Sequence, residues 1–586
     1  MTYALPSAAL SPEPAPDRRA TRRRWWARAV WGVEHAFERS AASKQAHNDA
    51  QVRILLLLGL FGLTFGGLAL GATHAALFSE AAQARRGAPP PMLARADLTD
   101  RNGRVLAMDL VHYGVYLDPG EVWDSVETRR QLLATLPNLK PERLERALRR
   151  EKRSLVLAGL TPQERNRVRD LGLPGISFEP EDRRVYPLGA QAAHLIGFTD
   201  FGGQGLAGAE KALDADLTEA GKGGAVPLSV DLRIQAALEE ELQAAAGDQR
   251  AKGGVGIVSD VRTGEILAMA SYPDFDPGAP GAATPEQLLN RPVQSVYEMG
   301  STFKGLTLAA GLESGTATRT STYDATQPFR MAGRTVRDFH AANKVLTFDE
   351  VFTKSSNIGT SRIALAVGAT AFSGYLRDWG LFERASIELA ESARPILPRQ
   401  WNENTLASAS FGHAISVTPA ALTAAMHVMA NGGWRVPLTI RKREGMPPEA
   451  KRVLSETTSR HMLDLMRLNV TDGSGRKADV PGYRVGGKTG TGEKVIDGRY
   501  DHRANISSFA AVFPTDGPMD AQRYFVLILL DEPQGSEATF GLRTGGWVAA
   551  PAVGKTIARI APFLPRIERA PIPEPVELAA AQAAGR

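Results

Sequence analysis

The feature that most constrains this chain is an uninterrupted apolar run. The 26 residues from Ile54 to Ser79 contain no Asp, Glu, Lys or Arg. As a helix rising about 1.5 Å per residue, the run would be about 39 Å long, more than the roughly 30 Å of a bilayer's hydrocarbon layer. A buried core helix of this length would normally keep a polar face, and the 53 preceding residues disfavour a cleaved signal peptide. The run therefore predicts a single uncleaved transmembrane helix at 54–79.

The charges that flank this run predict its orientation. Residues 1–53 carry nine Lys or Arg against five Asp or Glu. Because positively charged flanks stay on the inner side of a membrane, residues 1–53 are predicted to be a basic cytoplasmic tail. Everything after Ser79 would then lie outside the cytoplasm.

The residue types that are present narrow the chemistry. The chain has no cysteine, which excludes thiol nucleophiles, disulfides and cysteine-ligated metals. Its ten histidines form no H-E-x-x-H pair, so a local histidine-based metal site is not expected. A net charge of +5 does not by itself indicate nucleic acid as a partner.

The segment that follows the apolar run divides into two predicted domains. Residues 80–228 alternate short strand-like runs with charged helices, which predicts a mixed α/β pedestal. From residue 229 to 566, strand patterns such as GGVGIVSDVRTGEILAMAS and YFVLILLDEP stand on either side of about 200 residues of helical pattern. This arrangement predicts an α+β domain, an antiparallel sheet covered by helices with a helical subdomain. Residues 567–586 are predicted to be a flexible tail.

The first motif that could carry chemistry is S-T-F-K at 301–304. Gly300 supplies a turn, and the apolar run after it predicts a helix that begins near Ser301. Residues i and i+3 share one face of a helix, so the Lys304 amine would lie beside the Ser301 hydroxyl. A lysine whose pKa is lowered by burial and by neighbouring positive charge could accept the proton of that hydroxyl.

An S-x-x-K motif is a weak signal when it stands alone. With the serine and lysine content of this chain, about one match is expected by chance. A second match, Ser474 to Lys477, lies in the glycine-rich loop TDGSGRKAD, where helical geometry is not expected. We interpret this second match as a coincidence.

The second motif is S-S-N at 355–357, just before another helical run. Ser355 could relay a proton between the lysine and a leaving amine, and Asn357 could hold a substrate amide. The structural alternative is a helix N-cap, for which serine and asparagine are favoured residues.

The third motif is K-T-G-T at 488–491. Its threonine hydroxyls and Lys488 could bind a carboxylate, and its strand-like setting would let a peptide pair along the edge of a sheet. Gly482 to Thr489 also satisfies the phosphate-loop pattern G-x-x-x-x-G-K-T. We disfavour that alternative because the segment is expected outside the cytoplasm and its pattern predicts a strand and a turn, where a phosphate loop needs a helix.

The order and the spacing of the three motifs are more specific than any one of them. They follow one another at intervals of 54 and 133 residues, as in penicillin-binding proteins and β-lactamases. The chain resembles the class B penicillin-binding proteins over most of residues 92–560. The resemblance also rests on RADLTDRNGRVLA, GLAGAEKALDADL, NRPVQSVYEMGSTFK and SFGHAISVTP, and the last segment favours the division-type members.

The resemblance implies a role for each residue on the serine side of the site. Ser301 would be the acylated nucleophile and Lys304 the base that activates it. Ser355 would take part in proton transfer, and Asn357 would line the opposite wall.

On the strand side, the resemblance implies that Lys488, Thr489, Gly490 and Thr491 bind the substrate, with the N–H groups of Ser301 and Thr491 as the oxyanion hole. The chain departs from the family pattern at two positions. Met299 replaces a usual proline, and Ala414 stands where glycine is common. Neither change removes a reacting group.

The implied function is a peptidoglycan D,D-transpeptidase that joins stem peptides during septal wall synthesis through a serine acyl-enzyme, without metal or organic cofactor. β-Lactams would acylate Ser301. The implied location is the inner membrane at the division septum, with the catalytic domain in the periplasm. A polytopic glycosyltransferase of the FtsW type and other division proteins would be its partners.

Four alternatives are compatible with these motifs. An elongation-type transpeptidase would differ in cellular role, and a carboxypeptidase would let water accept the acyl group. A catalytically idle scaffold or penicillin sensor would keep the fold without the reaction. A class A β-lactamase is disfavoured by the apolar run and by the absence of a convincing E-x-x-L-N segment.

Overall fold

The computed structural model describes residues 57, 59–66, 68, 95–331, 333–496 and 499–564. Residues 57, 59–66 and 68 are helical, and within the described residues no helix is long and apolar enough to cross a membrane. The predicted transmembrane helix at 54–79 falls largely outside the described residues, as do both predicted tails. The chain divides into two compact units, Met1–Pro90 and Pro91–Arg586.

The pedestal is built on a five-stranded sheet. Its strands are β1 (Asp97–Thr99), β2 (Val105–Leu117), β3 (Ser154–Leu160), β4 (Ile176–Val185) and β5 (Ala225–Pro227). Its helices are α1 (Ser125–Thr135), α2 (Pro141–Leu148), α3 (Pro162–Arg169), α4 (Ala193–Ile196), α5 (Gly208–Ala212) and α6 (Asp214–Ala220). The strand order is β3-β2-β1-β5, with β4 also paired to β2. Thr161 caps α3, because its hydroxyl accepts a hydrogen bond from the N–H of Glu164.

The second domain begins with a helix and a hairpin and then becomes largely helical. Its first elements are α7 (Leu232–Asp248), β6 (Gly253–Asp260), β7 (Ile266–Tyr272), α8 (Pro285–Leu288), α9 (Arg291–Gln294), α10 (Phe303–Glu313), β8 (Thr322–Asp324), β9 (Phe329–Met331), β10 (Arg334–Val336) and β11 (Val345–Thr347). The next are α11 (Phe348–Thr353), α12 (Asn357–Val367), α13 (Ala369–Asp378), α14 (Glu403–Ser410), α15 (Pro419–Ala430), β12 (Trp434–Arg435) and β13 (Lys451–Arg452). The last are α16 (Glu456–Thr471), β14 (Gly486–Ile496), β15 (Arg499–Phe513), β16 (Tyr524–Asp531) and α17 (Gly545–Ile560).

The main sheet of this domain confirms the predicted antiparallel sheet covered by helices. Its order is β14-β15-β16-β6-β7, and every neighbouring pair is antiparallel. Strand β16 buries all eight of its residues, and alternate side chains enter two different cores. Helices α7 and α17 contribute to one core, and α10, α15 and α16 to the other. Burial on both faces explains why β16 reads as a continuous apolar run.

A tight turn at the end of β1 ties the pedestal to the second domain. Asp100 Oδ1 accepts the N–H groups of Asn102 and Arg104, each at 2.8 Å. The Asn102 amide then donates to Asp231 Oδ2 at 3.0 Å. Asp231 is the N-cap of α7, so the conformation of this turn is coupled to the start of that helix.

The pedestal also contains a buried charge network, here called the Glu210 cluster and made of Arg95, Asp109, Arg184 and Glu210. The Glu210 carboxylate lies 2.9 Å from Arg95 Nη2 and 2.6 Å from Arg184 Nε. Arg184 Nη1 lies 3.1 Å from Asp109 Oδ1. All four side chains are at most 2% exposed. The sequence indicated no role for these residues, which come from four separate segments.

Candidate active site

Ser301 lies in a turn that is wedged between two other segments. It is half-buried in a 3-10 turn, Gly300–Thr302, and α10 begins directly after it, two residues later than the sequence suggested. Gly300 has φ +55°, and a Cβ atom there would lie 2.3 Å from the Thr491 carbonyl oxygen. A Cβ atom on Gly412 would lie 2.2 Å from the Gly300 carbonyl oxygen. Only glycine fits at both places, which fixes Ser301 against β14.

Lys304 lies in the first turn of α10 and is 1% exposed. Its Nζ atom donates to the Ser355 carbonyl oxygen at 2.5 Å and to Ser355 Oγ at 3.1 Å. Burial, reinforced by the positive charge of Lys488, lowers the pKa of Lys304 well below its ordinary value. The amine is therefore suited to accept a proton. Among the described residues, its hydrogen bonds go to Ser355 and not to Ser301.

Ser355 joins the two lysines of the site. Its Oγ atom is 3.1 Å from Lys304 Nζ and 3.0 Å from Lys488 Nζ. Its backbone has φ +55°, a left-handed conformation that costs a non-glycine residue about 1 kcal/mol. The helices α11 and α12 on either side hold this conformation and point the hydroxyl at the two amines. Such an arrangement can pass a proton from one amine to the other.

Lys488 is fully buried on β14. Burial lowers the pKa of Lys488 to about 7. Its Nζ atom also lies 3.3 Å from Thr489 Oγ1. The motif continues as strand to Ile496 and not as a helix, which supports our rejection of the phosphate-loop alternative.

The S-S-N motif both caps helix α12 and contributes a residue to the site. Ser356, in the middle of the motif, is the N-cap of α12, and its hydroxyl also donates to Asp338 Oδ2 at 2.8 Å. The Asn357 amide donates to the Arg337 carbonyl oxygen at 2.9 Å. The capping alternative therefore applies to Ser356, and it leaves Ser355 free to bridge the lysines.

The two threonines of the K-T-G-T motif form hydrogen bonds with the start of α17 and with the loop that contains Ser474. Thr491 Oγ1 accepts the N–H of Gly545 at the start of α17, at 3.2 Å. Thr489 Oγ1 lies 2.7 Å from Ser474 Oγ. Ser474 belongs to the second S-x-x-K match, and it lies near the site through this contact with Thr489. The Lys477 Nζ atom of the same match lies over the Trp547 ring.

A polar cluster that the sequence analysis missed supports the turn before Ser301. Glu298 Oε1 accepts the Ala414 N–H at 2.9 Å, and the Tyr500 hydroxyl donates to Glu298 Oε2 at 3.2 Å. Burial raises the pKa of Glu298 and raises that of Tyr500 to about 12, while it lowers that of His413 to about 4. Ala414 has φ +60°, which explains why glycine is common there. The only indication of this cluster in the sequence was an acidic residue, Glu298, three positions before Ser301.

The site opens along a free strand edge. Strand β14 is the last strand of its sheet and pairs on one side only, with β15. Gly490 has no room for a side chain, because a Cβ atom there would lie 2.3 Å from Ser508 Oγ. The backbone of the K-T-G-T motif can therefore be paired by an extended peptide whose carbonyl lies near Ser301.

Comparisons with known proteins agree with this geometry. Residues 254–558 match the family model of the penicillin binding protein transpeptidase domain, and residues 92–226 match that of the penicillin-binding protein dimerisation domain. The chain is 54% identical over 549 residues to a probable peptidoglycan D,D-transpeptidase FtsI from Caulobacter vibrioides, covering 92% of this chain and 93% of the relative.

More distant relatives show the same pattern. The peptidoglycan D,D-transpeptidase FtsI of Escherichia coli K12 is 32% identical over 496 residues, which is 78% of this chain and 82% of the relative. A crystal structure of penicillin binding protein 3 from Mycobacterium tuberculosis, in complex with aztreonam, matches with a TM-score of 0.62 and 26% identity. That match covers 82% of this chain and all of the solved one.

Proposed function

The chain belongs to the penicillin-binding protein transpeptidases, and we propose that Ser301, Lys304 and Ser355 carry its reaction. It is a peptidoglycan D,D-transpeptidase of the division type, which acts in septal wall synthesis. The observation that supports the proposed roles is the placement of Ser355 Oγ within 3.1 Å of both buried lysine amines.

In the proposed mechanism, Lys304 takes the proton of Ser301 as the serine oxygen attacks the carbonyl carbon of the penultimate D-Ala. The developing oxyanion is stabilised by the N–H groups of Ser301 and Thr491. Ser355 passes the proton to the nitrogen of the terminal D-Ala, which leaves as the C–N bond breaks. An amine of a neighbouring stem peptide then attacks the ester, and its proton returns through Lys304 as Ser301 is released.

The strand side of the site provides substrate binding in this proposal. Lys488 and the hydroxyls of Thr489 and Thr491 would bind the terminal carboxylate, while Asn357 would hold an amide of the stem peptide. The open edge of β14, including Gly490, would pair with the peptide backbone. No metal ion or organic cofactor takes part in any step.

A labelling and transfer experiment tests this proposal. The full chain, purified in detergent, is expected to form a penicillin adduct that peptide mass mapping places on Ser301. With a D-Ala-D-Ala peptide donor, addition of an acceptor amine should replace the hydrolysed product with an amide product. An adduct on another residue would refute the assigned nucleophile. Hydrolysis that no acceptor can divert would instead support the carboxypeptidase alternative.

We also propose that residues 54–79 span the inner membrane once, with residues 1–53 in the cytoplasm. The support is the run of 26 uncharged residues and the excess of Lys and Arg before it. External protease added to spheroplasts should remove a fragment that contains Ser301 and should leave residues 1–53 protected. Protection of the Ser301 fragment would contradict this topology.

The proposed membrane partner is a polytopic glycosyltransferase of the FtsW type. Gly62 and Gly66 have the spacing that allows close approach of helices in a lipid bilayer, and both lie in the described helical stretch. Leucine at both positions should reduce co-purification with that partner and leave penicillin labelling intact; unchanged co-purification would count against this helix face.

A further inference from the structure

The loop that carries Ser474 is shaped to hold this serine against β14. A Cβ atom on Gly473 would lie 2.4 Å from Asn469 Oδ1, and one on Gly475 would lie 3.0 Å from a Phe509 ring carbon. A Cβ atom on Gly546 would lie 2.7 Å from the Ser474 carbonyl oxygen. Gly473 and Gly546 leave no room for a Cβ atom, and Gly475 lies tightly against the Phe509 ring. The sequence G-S-G and the start of α17 therefore fix the serine in place together.

Ser474 continues a chain of polar contacts that begins at the two lysines. Lys488 Nζ lies 3.3 Å from Thr489 Oγ1, which lies 2.7 Å from Ser474 Oγ. Ser474 Oγ lies 3.2 Å from Asn469 Oδ1. The fully buried Asn469 amide donates to the Gly487 carbonyl oxygen at 2.8 Å.

The donors and acceptors in this series of hydrogen bonds follow from the groups at its two ends, Asn469 and Lys488. Asn469 must turn its oxygen towards Ser474, because its nitrogen donates to the Gly487 carbonyl oxygen. In its protonated form, Lys488 can only donate. Without substrate, Thr489 therefore donates to Ser474, and Ser474 donates to Asn469. In that state the Thr489 hydroxyl hydrogen points away from any ligand on the open side of β14.

We infer that Ser474 is a positioning residue for the substrate carboxylate, acting through the Thr489 hydroxyl. This inference rests on the proposed role of the K-T-G-T motif in binding that carboxylate. When a carboxylate arrives, Thr489 turns its hydrogen to it, and Ser474 turns its own hydrogen from Asn469 to Thr489. A hydroxyl that accepts a hydrogen bond is a stronger donor, so Ser474 strengthens the bond to the carboxylate.

The test compares a carboxylate ligand with its ester. We expect Ser474→Ala in the full chain to lower the second-order rate constant of acylation by benzylpenicillin about five- to tenfold, the effect of one lost hydrogen bond. With benzylpenicillin methyl ester, the same variant should react within about twofold of the wild type. Ser474→Thr should restore the reaction with the carboxylate. The matched control is Lys477→Arg, in the same loop, which should change neither rate.

A second variant separates this inference from the proposed function. In a Thr489→Val background, Ser474→Ala should have no further effect, because the group through which it acts is absent. Equal losses with penicillin and with its ester would overturn the inference, since they would indicate a general structural effect. A Ser474→Ala variant that is acylated by benzylpenicillin at the wild-type rate would also overturn the inference. In that case, a slower reaction of Thr489→Val with benzylpenicillin but not with the ester would still support the proposed carboxylate site. If the Thr489→Val variant is acylated by benzylpenicillin and by its methyl ester at the wild-type rates, the proposed role of the K-T-G-T motif is refuted.

Discussion

Arginine in place of Lys304 is expected to slow acylation by a fluorescent penicillin by at least about a hundredfold, as severely as alanine in place of Ser301. Arginine keeps the positive charge and much of the length of lysine, but it cannot be deprotonated in a protein. A base must be neutral before it can take a proton. Burial and the Lys488 charge lower the pKa of Lys304, and arginine cannot make use of this effect.

The same reasoning predicts a pH dependence. Acid protonates Lys304, so the acylation rate of the wild type should fall as the pH drops through the lowered pKa of this amine. The loss should appear in the rate and not in the fold, and far-ultraviolet circular dichroism at each pH checks the latter.

Two further variants keep this prediction testable. Lys304 is fully buried, so Lys304→Arg could fold poorly, whereas Lys304→Met keeps the apolar stem, introduces no charge and should also be inactive. Lys477→Arg, in the other S-x-x-K match, should label normally. Labelling of a well-folded Lys304→Arg variant within about tenfold of the wild type would contradict the assigned mechanism, because loss of a base costs at least about a hundredfold.

Alanine in place of Glu210 is expected to destabilise the pedestal by about 3–5 kcal/mol. One carboxylate faces two buried guanidinium groups, those of Arg95 and Arg184. Its removal leaves the two buried guanidinium groups close together without the carboxylate that they share, although Asp109 still pairs with Arg184 and Asp214 with Arg95. For a domain of this size, the expected decrease in the Tm of the full chain is about 10 °C.

The matched control is an exposed ion pair in the same domain. Arg129 and Glu145 lie 3.1 Å apart, with 49% and 43% of their side chains exposed. Glu145→Gln should change the Tm by no more than about 2 °C, since water screens such pairs. Differential scanning fluorimetry measures both variants. If the Glu210→Ala variant has the same Tm as the Glu145→Gln control, the Glu210 cluster contributes little to stability.

Glu210→Ala should also affect the second domain. Ala209 and Leu213, on either side of the cluster, belong to the same apolar core as Val255 and Phe303. We therefore expect the temperature at which penicillin labelling is lost to fall together with the Tm. Labelling that survives to the wild-type temperature would indicate that the two domains unfold independently.

The sequence was most informative where structure is decided locally. Strands β6, β7 and β16 follow from the short patterns GGVGIVSDVRTGEILAMAS and YFVLILLDEP, and the structure confirms them. The order of the three motifs also predicted which segments would meet. Helical spacing predicted Lys304 beside Ser301, whereas the hydrogen bonds that Lys304 makes to Ser355 did not follow from spacing.

The remaining features depend on the convergence of distant segments. The Glu210 cluster draws on four segments between Arg95 and Glu210, each of which reads as ordinary charged surface in the sequence. Ser474 is held near Thr489 in part because Gly473 and Gly546 let backbone segments approach closely, and no local pattern predicts which segments meet. The domain boundaries at 228 and 566 stay predictions, as does the helix at 54–79.

The free edge of β14 has a consequence for solubility. An unpaired strand edge can pair with the edge of another molecule, which leads to aggregation. Here the edge is interrupted, because the Gly300 turn abuts the backbone at Thr491. A register shift in the β14–β15 pairing between Glu493 and Lys494 also changes the course of the strand. Within the motif, Lys488, Thr489 and Gly490 are buried and Thr491 is half-buried, so little of this edge is open to a second sheet. The narrowness of the opening that admits substrate thus also limits aggregation through this strand.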